Sequence, residues 1–151
     1  MEQVKVLDWL LEIDKEMTIS VYNQLPTTAE DCPCSYCKNY VAASTSFPAV
    51  FLSLLDDLGV DPSKASEVYE VCENENGTHL YGGFYHLVGR IVDGQDVKIP
   101  IENTRKIELS SLTKDFKIGF TTDLSLVPEQ FSGSILQMEF FGDVLWVIEE
   151  E

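Results

Sequence analysis

Thr78-His79-Leu80-Tyr81-Gly82-Gly83-Phe84-Tyr85-His86-Leu87-Val88-Gly89-Arg90-Ile91-Val92 is the stretch on which the fold turns. It is long enough for one bent strand, and Gly82-Gly83 in its middle predict a bulge or a close approach of backbones. Asp93-Gly94, directly after it, is a two-residue hairpin signal. Pairing through that turn sets Val92 opposite Gln95, Arg90 opposite Val97, Val88 opposite Ile99 and His86 opposite Ile101. Val88, Ile99 and Ile101 then share one apolar face. Upstream, Val68 to Cys72 reads as a strand that Asn76-Gly77 turns into the long one. Downstream, strands are expected near 105–111, 116–122, 134–141 and 144–149, with Gly142-Asp143 as a further hairpin turn. The expectation is a single α+β domain spanning residues 1–151. Its antiparallel sheet has seven to eight strands, mostly from residues 66–151, and two or three helices come from the N-terminal half.

In that half, Val4, Leu7, Leu10 and Leu11 keep helical spacing and predict a helix over about 3–15. Thr18 to Tyr22 is rich in β-branched residues and reads as a short strand, and Leu25 to Pro33 as a loop. A short helix is expected from Cys37 to Thr45. The best-patterned element is a helix over 48–58, where Phe47, Val50, Phe51, Leu54, Leu55 and Leu58 fall on one face. Pro48 suits its first position, Ser46 a place just outside it, and Gly59 a left-handed stop. Pro48 also forces Phe47 out of helical geometry and breaks the chain between the two helices.

The chain has 151 residues, 44% of them hydrophobic, enough for a core without metal or disulfides. With 26 acidic and 10 basic residues it carries a formal charge of −16, which repels phosphate backbones and anionic membrane surfaces. Nucleic acid and membrane are therefore not expected partners; cations and basic proteins are. Only Glu149, Glu150 and Glu151 form an acidic run. Neither a signal-peptide layout nor an apolar run of membrane-spanning length is present, which predicts a cytoplasmic location.

Cys32, Cys34 and Cys37 lie together as Cys-Pro-Cys-Ser-Tyr-Cys, while Cys72 stands alone. Three readings are open. Cys34 and Cys37 have the gap that lets two thiolates reach one zinc ion, with Cys32 as third ligand and Cys72, His79 or His86 as fourth. Alternatively, Cys34-Ser35-Tyr36-Cys37 leads into a helix whose N-terminus lowers thiol pKa values and favours redox chemistry. Or the cysteines are small buried apolar side chains.

Three stretches carry a resemblance: Cys34-Ser35-Tyr36-Cys37-Lys38-Asn39-Tyr40, Leu58-Gly59-Val60-Asp61-Pro62, and Tyr81-Gly82-Gly83-Phe84-Tyr85-His86-Leu87-Val88-Gly89. Over residues 30 to 92 the chain resembles an uncharacterised bacterial family of small acidic proteins with a Cys-x-x-Cys-Arg-Asn-aromatic motif. Lys38 stands where that motif has arginine. The resemblance implies a shared fold and no activity.

His79 and His86 are seven residues apart, so a regular strand sends them to opposite faces and a one-residue bulge to the same face. His86 reads as a core-edge histidine or a ligand, His79 as exposed. Asp56, Asp57 and Asp61 match no calcium loop and read as a solvated face. Nucleotide-binding, nucleophile-elbow and zincin motifs are absent. Together these predict a non-enzymatic domain that binds an unidentified protein, a basic one being the natural candidate, with a zinc held by Cys32, Cys34, Cys37 and Cys72 or His86. The alternatives are an enzyme or thiol switch using Cys34 and Cys37, and an acidic mimic that neutralises a basic protein.

Overall fold

Through the middle of the molecule runs the long strand expected from the sequence, His79–Asp93. The computed structural model describes residues 1–102 and 104–149; Glu150 and Glu151 of the acidic run lie outside them. In chain order the elements are β1 (Glu2–Val6), β2 (Trp9–Ile13), α1 (Lys15–Tyr22), α2 (Thr28–Asp31), α3 (Ser35–Ala43), α4 (Ala49–Leu58), β3 (Glu67–Glu73), β4 (His79–Asp93), β5 (Lys98–Ile101), β6 (Thr104–Ile107), β7 (Ser110–Ser111), β8 (Phe116–Thr121) and β9 (Ile135–Val144). The fold is α+β. An antiparallel seven-stranded sheet runs β1-β2-β4-β9-β8-β7, with β3 also on β4, and β5 and β6 form a separate two-stranded pair.

The helices of the N-terminal half cover one face of this sheet. From α4, Phe51, Leu54, Leu55 and Leu58 are buried, as the spacing requires, but Val50, expected on the same face, is 53% exposed at its edge. Gly59 ends the helix with a φ of 81° and Phe47 is extended before it, both as read; Pro48 caps the helix rather than opening it. Phe51 stacks among Phe47, Phe116, Tyr85 and Phe140. From α3, Tyr40 hydrogen-bonds Tyr85, whose own hydroxyl donates to the Pro62 carbonyl at 2.7 Å. α3 begins at Ser35, two residues before the expected start, with Cys34 as its cap. Among the described residues, no single helix is long and apolar enough to cross a membrane. Residues 35–46 and 49–58 are so only as a pair bent by 95°, and their apolar faces lie in this core.

Several expectations are overturned. Residues 3–15 form a hairpin, not a helix. Trp9, Leu11 and Ile13 are buried at every second residue, and Leu7 takes a positive φ of 50° in the turn. The apolar residues here satisfy both periods, and pairing of Leu11, Glu12 and Ile13 with Ile91, Arg90 and Gly89 decides for the strand. Residues 18–22 belong to helix α1 instead of a strand. The Asp14 side chain accepts from the Met17 N–H at 3.1 Å and caps it, while Thr18, Val21 and Tyr22 fall on its buried side. The loop from 25 to 33 contains α2, closed by a reciprocal capping box between Thr27 and Glu30.

Asp93-Gly94 closes no hairpin. Arg90 faces Glu12, His86 faces Gln137, and Val97 bonds instead to Phe120 and Glu108. β4 had no edge left for a neighbour, since β9 takes one side and β3 and β2 share the other. The strand expected over 105–111 is accordingly split into β6 and β7. Gly142-Asp143 is likewise no turn: β9 runs straight through it, and no strand follows over 145–149. A Cβ on Gly142 would run into the Phe116 ring, so close packing accounts for the glycine. Gly83 marks a close approach as well, with the Glu67 carbonyl against it. The bulge lies in the partner strand β3, between Glu70 and Cys72, which face Tyr81 and Leu80.

Between the end of β3 and the start of β2, β4 has a gap in its ladder, and α1 fills it. The Tyr22 hydroxyl donates to the His86 carbonyl at 2.7 Å and accepts from the His86 N–H at 3.2 Å. The Thr18 hydroxyl accepts from the Val88 N–H at 3.0 Å, and the Asp14 N–H donates to the Val88 carbonyl at 2.9 Å. Side chains thus complete the backbone accounting where no strand does.

Candidate functional site

The three clustered cysteines converge. Cys34 sits at the N-cap of α3, its sulfur accepting from the Cys37 N–H at 3.4 Å. One helical turn on, Cys37 is buried; Cys32 reaches in from the end of α2, with its sulfur 3.7 Å from that of Cys34. All three sulfurs lie within 4.8 Å of one another. A tetrahedral ion with bonds of about 2.3 Å holds its thiolates about 3.8 Å apart, so the cluster can hold a metal ion after small adjustment. Cys32 and Cys34 are exposed, so burial as a small apolar side chain describes Cys37 alone.

The thiols are unlike one another. Partial burial works to raise Cys34, but hydrogen bonds from the Cys37 backbone and thiol and from Cys32 outweigh it and hold Cys34 below the usual thiol range. Burial pushes Cys37 well up, and its bonds to Cys32 and Cys34 add to this. Cys34 is thus the more acidic thiol at the surface, beside a thiol that gives up its proton only to a strong competitor such as a metal.

The three candidates for a fourth ligand do not join the cluster: His79, expected to be exposed, is half-buried on β4 with Nδ1 2.8 Å from Glu70 Oε2. The Cys72 sulfur lies on β3 beside the Asn74 amide oxygen, at 3.9 Å. His86 is fully buried, with both ring nitrogens engaged: Nδ1 lies 2.7 Å from the Ser66 hydroxyl and Nε2 2.9 Å from Gln137 Oε1. The Ser125 N–H donates to the same Gln137 oxygen at 2.7 Å, and the Gln137 amide nitrogen donates to Glu139. With Oε1 thereby fixed as an acceptor, His86 carries its proton on Nε2, and Ser66 donates to the bare Nδ1.

Burial holds the His86 imidazole below its ordinary range, against the pull of its Gln137 bond. Because the folded value lies below the unfolded one, His86 contributes stability above about pH 6.5 that is lost as pH falls below it. Glu139 acts in the opposite sense. Burial raises its carboxyl above the usual range despite Gln137 and Lys98, so its contribution is lost as pH rises through the raised value. Nitrogen-resolved NMR is expected to show a neutral His86 protonated on Nε2, with its titration shifted below pH 6.5. Titration near 6.5, or a proton on Nδ1, would contradict the Ser66–His86–Gln137 order.

No family model, curated protein or solved structure matches the chain.

Sequence reasoning missed Asn39. This fully buried side chain on α3 donates to the Leu145 carbonyl at 3.0 Å and accepts from the Val147 N–H at 2.7 Å. It pins the segment after β9 to the helix that carries Cys37, which sets Trp146 against Tyr36 at a ring-centroid distance of 5.8 Å. Its place two residues after Cys37, on the inner side of an expected helix, was the available signal. Around it Tyr36, Leu145 and Val147 remain 43%, 54% and 47% exposed.

Proposed function

We propose that the protein is a non-enzymatic protein-binding domain whose surface is organised by a zinc ion held by Cys32, Cys34 and Cys37. The convergence of three sulfurs within 4.8 Å carries this reading. The fourth position would be filled by water or by a donor from the bound partner, since Cys72 and His86 are engaged elsewhere. Exposed Tyr36, Leu145 and Val147 beside the cluster support a docking role, and the charge of −16 supports a basic partner. The Cys-x-x-Cys-Lys-Asn-Tyr run then does two jobs: Cys34 and Cys37 are ligands, while Asn39 and Tyr40 fasten the ligand helix to the rest of the fold.

Protein purified without added metal is expected to carry one zinc per chain by native mass spectrometry, with three of its four thiols protected from a thiol reagent. Cys34→Ser should weaken zinc at least tenfold without changing the far-ultraviolet dichroism, because the core does not depend on the cluster. Acid should release the metal as the thiolates take up protons. A metal-free chain with freely reacting thiols would overturn the reading. The lowered Cys34 thiol and the Cys32 sulfur 3.7 Å away favour a second reading, a dithiol switch. Rapid, reversible oxidation in metal-free protein would select it.

A further inference from the structure

Beside the cysteines lies a cavity of about 310 Å³ lined by Tyr36, Glu70, Glu73, Gly77, His79 and Trp146. Its three rings form a corner. Tyr36 meets Trp146 nearly at right angles, at 73°, and His79 lies 4.6 Å from Trp146 and 6.5 Å from Tyr36 between centroids. Two devices of the fold build it. The Asn39 clamp delivers Trp146, and the Tyr81 hydroxyl holds the Tyr36 carbonyl at 2.7 Å. The β3 bulge supplies the acid: Glu70 and Glu73 are three apart and would face opposite ways on a regular strand, but the extra residue between Glu70 and Cys72 lets both line one cavity. Glu70 in turn orients His79, whose Nδ1 lies 2.8 Å from its Oε2.

We propose that this corner receives one cationic side chain, lysine or arginine, from a basic segment of the partner protein. Aromatic faces attract a cation within about 6 Å of their centroids, and two carboxylates on the same wall add Coulombic attraction. A net charge of −16 concentrates basic segments near the surface before docking. The assignment rests on the protein-binding reading above. It does not need the metal, because none of the lining residues is a cysteine.

The test is an NMR titration of the whole protein with capped pentapeptides of one central lysine or arginine between glycines. Their norleucine counterpart and tetramethylammonium chloride serve as controls, all at constant ionic strength. Saturable shifts of the Trp146 indole N–H are expected with a charged peptide and not with norleucine. Binding should weaken about fivefold to tenfold in Trp146→Ala, the scale of a cation–π contact, and measurably in the exposed variant Glu73→Gln, which keeps the rings in place. Unsaturable shifts, equal binding of norleucine, or unchanged binding in Glu73→Gln would overturn the proposal. So would tetramethylammonium binding as tightly as the peptides, which would make the occupant a free cation. Zinc content measured on the same sample reports separately on the metal.

Discussion

Phe51→Ala is expected to cost roughly 3–5 kcal/mol, the largest loss from any single change in α4. Phe51 is fully buried, and its ring lies 4.6 Å from Phe116, 5.8 Å from Phe47 and 5.9 Å from Phe140 between centroids. It joins α4 to β8 and β9 at once, and rigid strands on the far side of the void leave little room for collapse. The spacing of apolar residues points equally to Leu54, but Leu54 sits at the rim of the helix beside Val4 and Leu112, where neighbours can close in. Leu54→Ala should therefore fall near the low end of the roughly 2–5 kcal/mol range for such truncations. Urea midpoints with unchanged slope measure both. A Phe51→Ala loss under about 1 kcal/mol would show that α4 does not anchor the sheet.

Asn39→Ala should follow at about 2–4 kcal/mol, because it strands the Leu145 carbonyl and the Val147 N–H around a buried position. The chain has a way out, which is to release residues 145–149 to water. Trp146 reports that release: its emission should move to the red while Trp9, buried with its indole N–H on the Gln95 carbonyl, stays constant. Asn39→Asp separates the two bonds. It still accepts from Val147 but sets a carboxylate against the Leu145 carbonyl, so it should be no better tolerated than alanine. Wild-type stability and emission in both variants would remove Asn39 as the clamp and, with it, the origin of the Trp146 position.

What could be read from the chain was what neighbours in sequence decide. The α4 face, the Gly59 stop, the length of β4 and the convergence of Cys32, Cys34 and Cys37 all depend on residues within a few turns of one another. The Asp93-Gly94 turn failed for the complementary reason. Its local chemistry is sound, but Arg90 is claimed by Glu12, 78 residues away, and His86 by Gln137, 51 residues away. Those same long-range partners took His86 out of the ligand set, since Ser66 and Gln137 occupy its nitrogens before any metal is considered. The N-terminal hairpin was ambiguous in itself: Val4, Leu7 and Leu11 suit a helix as well as Trp9, Leu11 and Ile13 suit a strand. Asn39 carries a polar side chain whose partners lie more than a hundred residues on, and nothing near it announces them.

The two hydroxyls with which α1 fills the gap in β4 have a consequence for how the protein behaves when it loosens. An interrupted sheet edge is a template for any extended chain, and here the template is a stretch of aromatic and aliphatic residues around His86 and Val88. α1 covers it through Tyr22 and Thr18. If the helix lifts, the exposed N–H and carbonyl groups are ready to take a strand from another copy, which starts domain exchange or fibre growth. A helix of eight residues thus serves as a guard against self-association. Weakening its hold through Tyr22 or Thr18 would be felt first in the tendency to aggregate.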